Sequence, residues 1–221
     1  MTGLIRKATL LTAAGLIAAG AASAGVPNAG TTTRPLSVVL VPKDPTQPLA
    51  AASALATFTV RDAGSSPVPN AVVVINGAGC TGTEIRLSSN QPHAGVFVNC
   101  AAKSVSAVTN ASGIATFRLL GRVGTHPGFA TGKVSGCASE TADGVALGAI
   151  NMSVADQNGA GGCNAADGAL FLLDRDQAAS PKNQARSDFN GAAGVNAADG
   201  ALFLILRDFS GVDVTEAADC P

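Results

Sequence analysis

The sequence predicts a mainly β sandwich followed by a small α module of two loop–helix units. Three observations predict it. From Leu36 to about Val154 the chain falls into short runs rich in β-branched residues, punctuated by Pro, Gly and Asn. A 21-residue segment then repeats at an offset of 32. Each copy ends in an apolar run at helical spacing. The expected division is residues 25–154 for the sandwich and 155–221 for the duplicated module.

Residues 1–24 stand apart from both. Arg6 and Lys7 precede an apolar run from Ala8 to about Ala22, and Ala22-Ser23-Ala24 is a small-residue cleavage pattern. This is the layout of a secretory signal peptide, too short and too Gly-broken for a bilayer span. The expected location is therefore secreted, extracellular or at the cell surface. Beyond this run no stretch is apolar for long enough to span a membrane.

The β elements follow in order. Leu36-Ser37-Val38-Val39-Leu40-Val41 is rich in β-branched residues and stops at Pro42. Leu55 to Val60 alternates like a half-buried strand. Ala71 to Ile75 is apolar throughout and ends at Asn76-Gly77, a strong turn signal. Gly95–Asn99, Val105–Val108 and Ile114–Leu119 are further short strands, the last entered through the turn Asn110-Ala111-Ser112-Gly113. Val145–Val154 is the last strand, and its apolar phase slips near Gly148, which predicts a bulge. Seven or so short strands in about 120 residues fit a sandwich.

Two stretches resemble bacterial immunoglobulin-like domains of the invasin/intimin type. One is Val60-Arg61-Asp62-Ala63-Gly64 leading to Pro67 and Val68-Pro69-Asn70-Ala71; the other is Thr109 to Phe117. The resemblance implies an early turn between strands and a later hairpin. The Cys80–Cys100 region and the Gly-rich segment from Gly121 to Gly136 look like additions to that pattern.

The chemistry lies in the repeat. Asp156–Asp176 and Asp188–Asp208 agree at 16 of 21 positions. Each copy opens with Asp-x-Asn-Gly and places an Asp at position twelve, immediately before the helical run. Calcium is a hard cation that takes six to eight oxygens at ~2.3–2.6 Å, and a twelve-residue loop supplies them from alternate positions. The candidate ligands in copy one are Asp156, Asn158, the Gly162 carbonyl, Asn164 and Asp167. In copy two they are Asp188, Asn190, the Gly194 carbonyl, Asn196 and Asp199. Leu170 with Leu173, and Leu202 with Ile205, mark the expected apolar helix faces. The competing account makes the same Asp and Asn residues turn formers and helix caps that need no metal.

A strand running directly into Asp156, with no helix before the first loop, resembles the type I dockerin. That resemblance covers Asp156 to about Gly211. It implies two bound Ca2+ ions and docking onto a cohesin-like protein domain. It also implies that near-identical copies let the partner bind in either of two orientations. Together the two resemblances make the expected fold a mainly β immunoglobulin-like sandwich followed by a small α dockerin-like module of two calcium loop–helix units.

The chain departs from that pattern at three places. Position five is Ala160 and Ala192, leaving two carboxylates per loop and predicting affinity near ~10⁻⁴–10⁻³ M. Position six is Gly161 in one copy and Ala193 in the other, where a positive φ would cost roughly 1 kcal/mol or more. The Ser/Thr pair that many dockerins offer a cohesin is Ala165-Ala166 and Ala197-Ala198.

Composition narrows the function. The net charge of −1 and the absence of any basic cluster argue against nucleic-acid binding. With no Trp and no Tyr, the flat amphipathic rings of a carbohydrate-binding surface are missing. There are five cysteines and only two histidines, His93 and His126, with no C-x-x-C zinc pattern. Cys80 with Cys100 is the first expected disulfide and Cys163 with Cys220 the second, though spacing leaves the connectivity open. Cys163 and Val195 hold position eight, where paired loops touch. Asp62, Glu84, Glu140 and Asp143 are scattered, and no nucleophile or zinc-protease motif occurs, so no catalytic residue is expected. The expected function is non-catalytic docking, in polysaccharide-degrading or cell-surface assemblies. The alternative is a calcium-stabilised structural or adhesive surface protein with no cohesin partner. The junction at Asn151–Ala155 has no Pro/Ser-rich linker, which predicts rigid attachment.

Overall fold

The structure, a computed structural model, describes residues 25–42, 55–80, 85–91, 93–123, 137–159, 162–176, 184–192, 194–210 and 220. The expected signal peptide, Glu84, His126, Ala160, Gly161, Ala193 and the Gly-rich stretch beyond Val123 up to Gly136 lie outside the described residues. The strands are β1 (Ser37–Val41), β2 (Ala56–Thr59), β3 (Val72–Asn76), β4 (Ile85–Leu87), β5 (Val96–Asn99), β6 (Ser104–Val108), β7 (Ile114–Phe117), β8 (Leu119–Val123), β9 (Ala138–Ala142) and β10 (Val145–Val154). The helices are α1 (Ala165–Asp176), the single turn α2 (Gln184–Ser187) and α3 (Ala197–Ser210).

The expected fold class is corrected on two counts. First, the β region is not two comparable antiparallel sheets. Among the described residues, eight strands form one sheet in the order β4-β8-β1-β10-β9-β3-β6-β5, and β2 and β7 pair separately. β1 runs parallel to both β10 and β8, so the large sheet is mixed rather than antiparallel throughout. The eight-stranded sheet is nearly closed and barrel-like. Its edge strands β4 and β5 are tied through the chain end, because the Cys220 N–H donates to the Leu87 carbonyl and its sulfur is bonded to Cys100.

Second, the C-terminal segment does not form a small α module of its own. Its two longer helices lie on the sheet and share a core with it. Val39 and Val41 of β1 and Ala155 pack with Phe171, Phe189, Val195, Phe203 and Leu206. Val38 and Leu40, from the other face of β1, enter the main core with Phe58, Ile75, Phe117, Ile150 and Met152. β1 is therefore buried on both faces, which explains its unbroken apolar run: strands in parallel pairing are usually covered on both sides. Two short helices could not bury their apolar stripes against each other alone, and the outer face of β1 supplies the missing surface.

Other expectations hold. β10 runs without a linker into Asp156, and its register against β9 slips between Ala146 and Gly148, where the bulge was expected. Asn110 turns the chain into β7 by accepting the N–H groups of Ser112 and Ile114. The strand expected over Ile114–Leu119 breaks at Arg118 into β7 and β8, which belong to different sheets.

The disulfides are Cys80–Cys137 and Cys100–Cys220. Both expected pairs are thereby corrected. Cys80 follows β3 and Cys137 precedes β9, and these strands are neighbours in the sheet, which brings the two ends together. Cys163 takes part in neither bridge and lies in the same buried cluster as Val195.

Candidate functional site: the paired loops and their helices

Each loop is organised by the carboxylate at position twelve. In copy one, Asp167 Oδ1 accepts the N–H groups of Gln157 at 2.7 Å and Asn158 at 2.9 Å. Its Oδ2 accepts the Asn164 N–H at 2.8 Å. Asn164 Oδ1 in turn accepts the Ala166 N–H at 2.8 Å. The last two bonds cap the N-terminus of α1: Asn164 takes the Ala166 N–H, and the Asp167 side chain reaches back to the Asn164 N–H. The first two are not capping: they draw the start of the loop onto its end.

Copy two repeats the arrangement. Asp199 Oδ1 accepts the Asn190 N–H at 3.0 Å and Oδ2 the Asn196 N–H at 2.9 Å, while Asn196 Oδ1 caps Ala198 at 2.8 Å. Asp156, Asp167, Asp188 and Asp199 are all fully buried. Glycines at positions four and seven carry positive φ in both copies: Gly159 and Gly162 at 68° and 86°, Gly191 and Gly194 at 69° and 100°. An L side chain there would be strained. At Gly191 a Cβ would also strike the Leu36 carbonyl, so this loop lies against the entrance to β1.

The structure thus brings the expected ligands of each copy into one loop, with two differences of role. Asn164 and Asn196 spend their side-chain oxygens on the helix N-terminus. The Gly194 carbonyl accepts from Asn196 Nδ2 at 3.3 Å. Among the described residues, no three His, Cys, Asp or Glu side chains gather at one point. Each loop brings two carboxylates, as its sequence requires, and further oxygens would come from Asn158 or Asn190, backbone carbonyls and water. The donor set fits a hard cation. Burial pushes the Asp199 carboxyl above its ordinary value, and the Asp188 charge adds to the rise, against the lowering effect of the backbone N–H groups it accepts. Like charges buried together are relieved by a cation.

The helices are placed as a reciprocal pair. The Phe171 and Phe203 rings stack with centroids 5.4 Å apart and planes 11° apart. Gly168 faces Phe203, and Gly200 faces Phe171. Such i-to-j and j-to-i contacts define a local two-fold axis relating the copies. Along it runs a groove of about 660 Å³, floored by the two Phe rings and lined by Leu172, Leu204, Arg175 and Arg207. The expected buried faces, Leu170 with Leu173 and Leu202 with Ile205, are corrected by one residue. Beyond the closing carboxylates Asp167 and Asp199, Phe171 and Asp174 are buried in α1 and Phe203 and Leu206 in α3, while Leu172, Leu173 and Leu204 are exposed. Every residue of each Leu-Phe-Leu run is apolar, so spacing alone could not choose the inward phase.

Sequence reasoning missed a buried polar group beneath the first loop. Arg186 binds Asp174 through Nε at 2.7 Å and Nη2 at 3.0 Å. Ser187 Oγ donates to the same carboxylate and accepts from Gln157 Nε2 at 2.9 Å. The signal was present, because Gln157 and Asp174 are two of only five positions at which the copies differ.

Of the scattered acids, the three within the described residues serve the fold. Asp62 Oδ1 accepts two N–H groups within its own turn, and Asp143 Oδ1 accepts the Val72 N–H. Glu140 is buried against Arg34 at 2.9 Å. Partial burial, then the Arg118 charge, lowers the His93 imidazole from its usual value.

Compared with protein-family models, curated proteins and solved structures, the chain matches none of them. Its two disulfides fit a protein of an oxidising, extracellular environment. No helix among the described residues is long and apolar enough to cross a membrane.

Proposed function

We propose that the chain is a secreted, non-catalytic calcium-binding protein that docks onto a cohesin-like protein domain through its paired helices. The observation that carries this reading is the coincidence of two features. Two matched loops each enclose a pair of buried carboxylates, and each opens directly into one helix of a two-fold groove. Asp156, Asn158, Gly162, Asn164 and Asp167 would hold one ion, Asn164 through water. Asp188, Asn190, Gly194, Asn196 and Asp199 would hold the second, Asn196 again through water. Bound calcium supplies positive charge to the carboxylate pairs and a cross-link across each loop.

The chain's own residues do the rest. Asp167 and Asp199 join loop to helix, so fixing the loop fixes the direction of the helix behind it. The apolar floor and the exposed leucines offer surface whose burial on docking is favourable at about 25 cal/mol per Å². Ala165-Ala166 and Ala197-Ala198 offer methyl groups at the helix starts, so the partner should meet them with apolar groups. Assemblies that degrade polysaccharide or coat a cell surface are the settings this reading favours.

Calcium titration of the chelator-treated protein, followed by circular dichroism and calorimetry, tests the ion. Two bound ions, with a gain of helix reversed by chelator, are expected. Absence of both ends the calcium reading. One observation favours a second reading, a calcium-stabilised structural or adhesive surface protein with no cohesin partner: both loops and helices are seated on β1 and β10 with no linker. Calcium-dependent capture of a cohesin-like protein from the native secretome separates the two.

A further inference from the structure

We infer that the two loops are coupled through the buried Gln157–Ser187–Asp174 relay, so that an ion in one loop raises the affinity of the other. This rests on the calcium reading above and names a regulation of the same sites.

The relay connects the two loop entrances. Gln157 is position two of the first loop, and its N–H is held by Asp167, the closing carboxylate of that loop. Its side-chain amide reaches across 30 residues to Ser187 Oγ at 2.9 Å. Ser187 directly precedes Asp188, the opening residue of the second loop. Ser187 Oγ is tied to Asp174 on the helix that leaves the first loop, and Arg186 clamps the same carboxylate. Gln157, Ser187, Asp174 and Arg186 are all buried, so water does not compete for these bonds.

The divergence of the copies supports the relay. Positions two and nineteen of the repeat are Gln157 and Asp174 in copy one but Phe189 and Leu206 in copy two. Phe189 and Leu206 join the apolar core, while Gln157 and Asp174 meet across Ser187. Two of the five differences between the copies thus account for this hydrogen-bonded connection between the loops.

The mechanism is shared ordering. Fixing Asp156 and Gln157 around a first ion fixes Ser187, and with it the approach to Asp188. The second loop then has less freedom to lose when it binds. The effect is reciprocal by linkage, and couplings of this kind change affinity by about 5–150-fold.

Calorimetric titration of the full chain with calcium chloride tests it. The wild type should bind two ions with a Hill coefficient above unity. Ser187→Ala and Gln157→Met, checked for folding by circular dichroism, should still bind two ions, with the coefficient falling to unity or below and the second affinity dropping at least about 5-fold. Gln157→Met keeps the side chain's length and decides the matter if Ser187→Ala does not fold. Two ions bound without cooperativity, or cooperativity unchanged in the folded variants, overturns the coupling and leaves the calcium reading standing. No binding by the wild type overturns both.

Discussion

Glu140 shows how a single side chain in the sheet sets a pH dependence. It lies on β9, buried, with Arg34 Nη1 at 2.9 Å from Oε2; the same Arg34 nitrogen donates to the Ala149 carbonyl at 2.6 Å. Gly148 makes this possible, because a Cβ there would meet the guanidinium at 2.8 Å. Burial raises the Glu140 carboxyl from its ordinary 4.5, outweighing the lowering by the Arg34 charge and hydrogen bond. A carboxyl raised in the folded state contributes stability below its unfolded value, and loses it as pH rises through the folded one. Urea unfolding at pH 4 and pH 7 should therefore show a smaller loss of stability in Glu140→Gln than in the wild type. At pH 7 the variant should be neutral, or more stable by less than about 1 kcal/mol. A large destabilisation at pH 7 would show that the Arg34 pair outweighs the cost of burial.

At the scale of elements, the helices depend on their caps. Asn164 and Asn196 begin α1 and α3 with the same two capping bonds, and the carboxylate that reaches back to each Asn also gathers the loop. Asn164→Ala and Asn196→Ala should each cost about 1 kcal/mol in denaturant unfolding without calcium, since an N-cap is lost while the loop clasp survives. Loss of much more would mean that the Asn side chain also holds the loop together. Elements were read from the sequence with uneven success. The turns at Asn76-Gly77 and Asn110–Gly113, the bulge at Gly148 and both loop–helix junctions were legible, because each is decided by residues a few positions apart. β4 and β9 were not: Ile85–Leu87 is very short, and Ala138–Ala142 is Ala-Ser-Glu-Thr-Ala, without a strong β signal. Both are strands by virtue of their neighbours, β8 in one case and β3 with β10 in the other.

For the molecule as a whole, the Cys100–Cys220 bridge has the longest reach. It spans 120 residues and fastens the chain end beside β5 while the Cys220 N–H holds β4. In the chain-entropy account, cross-links over long loops restrict the unfolded chain most. Replacing both cysteines with Ser should lower stability by about 2–5 kcal/mol in urea unfolding under oxidising conditions. If stability is unchanged, the sheet closes without this clasp. The same view explains the seating of the loops. Asn151 Nδ2 donates to the Asp188 carbonyl, and Arg122 Nη1 donates to the Gly159 carbonyl at 3.0 Å, so the sheet holds both loops by their backbones.

The local parts were legible in the order of the residues: the two twelve-residue loops, their closing carboxylates, the helices that start there, and the turns between short strands. These rest on bonds between near neighbours, and the 32-residue repeat wrote them twice. Tertiary structure alone decided the parallel seating of β1 between β8 and β10, the pairing of the cysteines, the inward phase of the helices and the docking of the loops on the sheet. Each of those choices joins residues far apart along the chain. Many such pairings satisfy the same apolar pattern, and only the packing of the whole core selects among them.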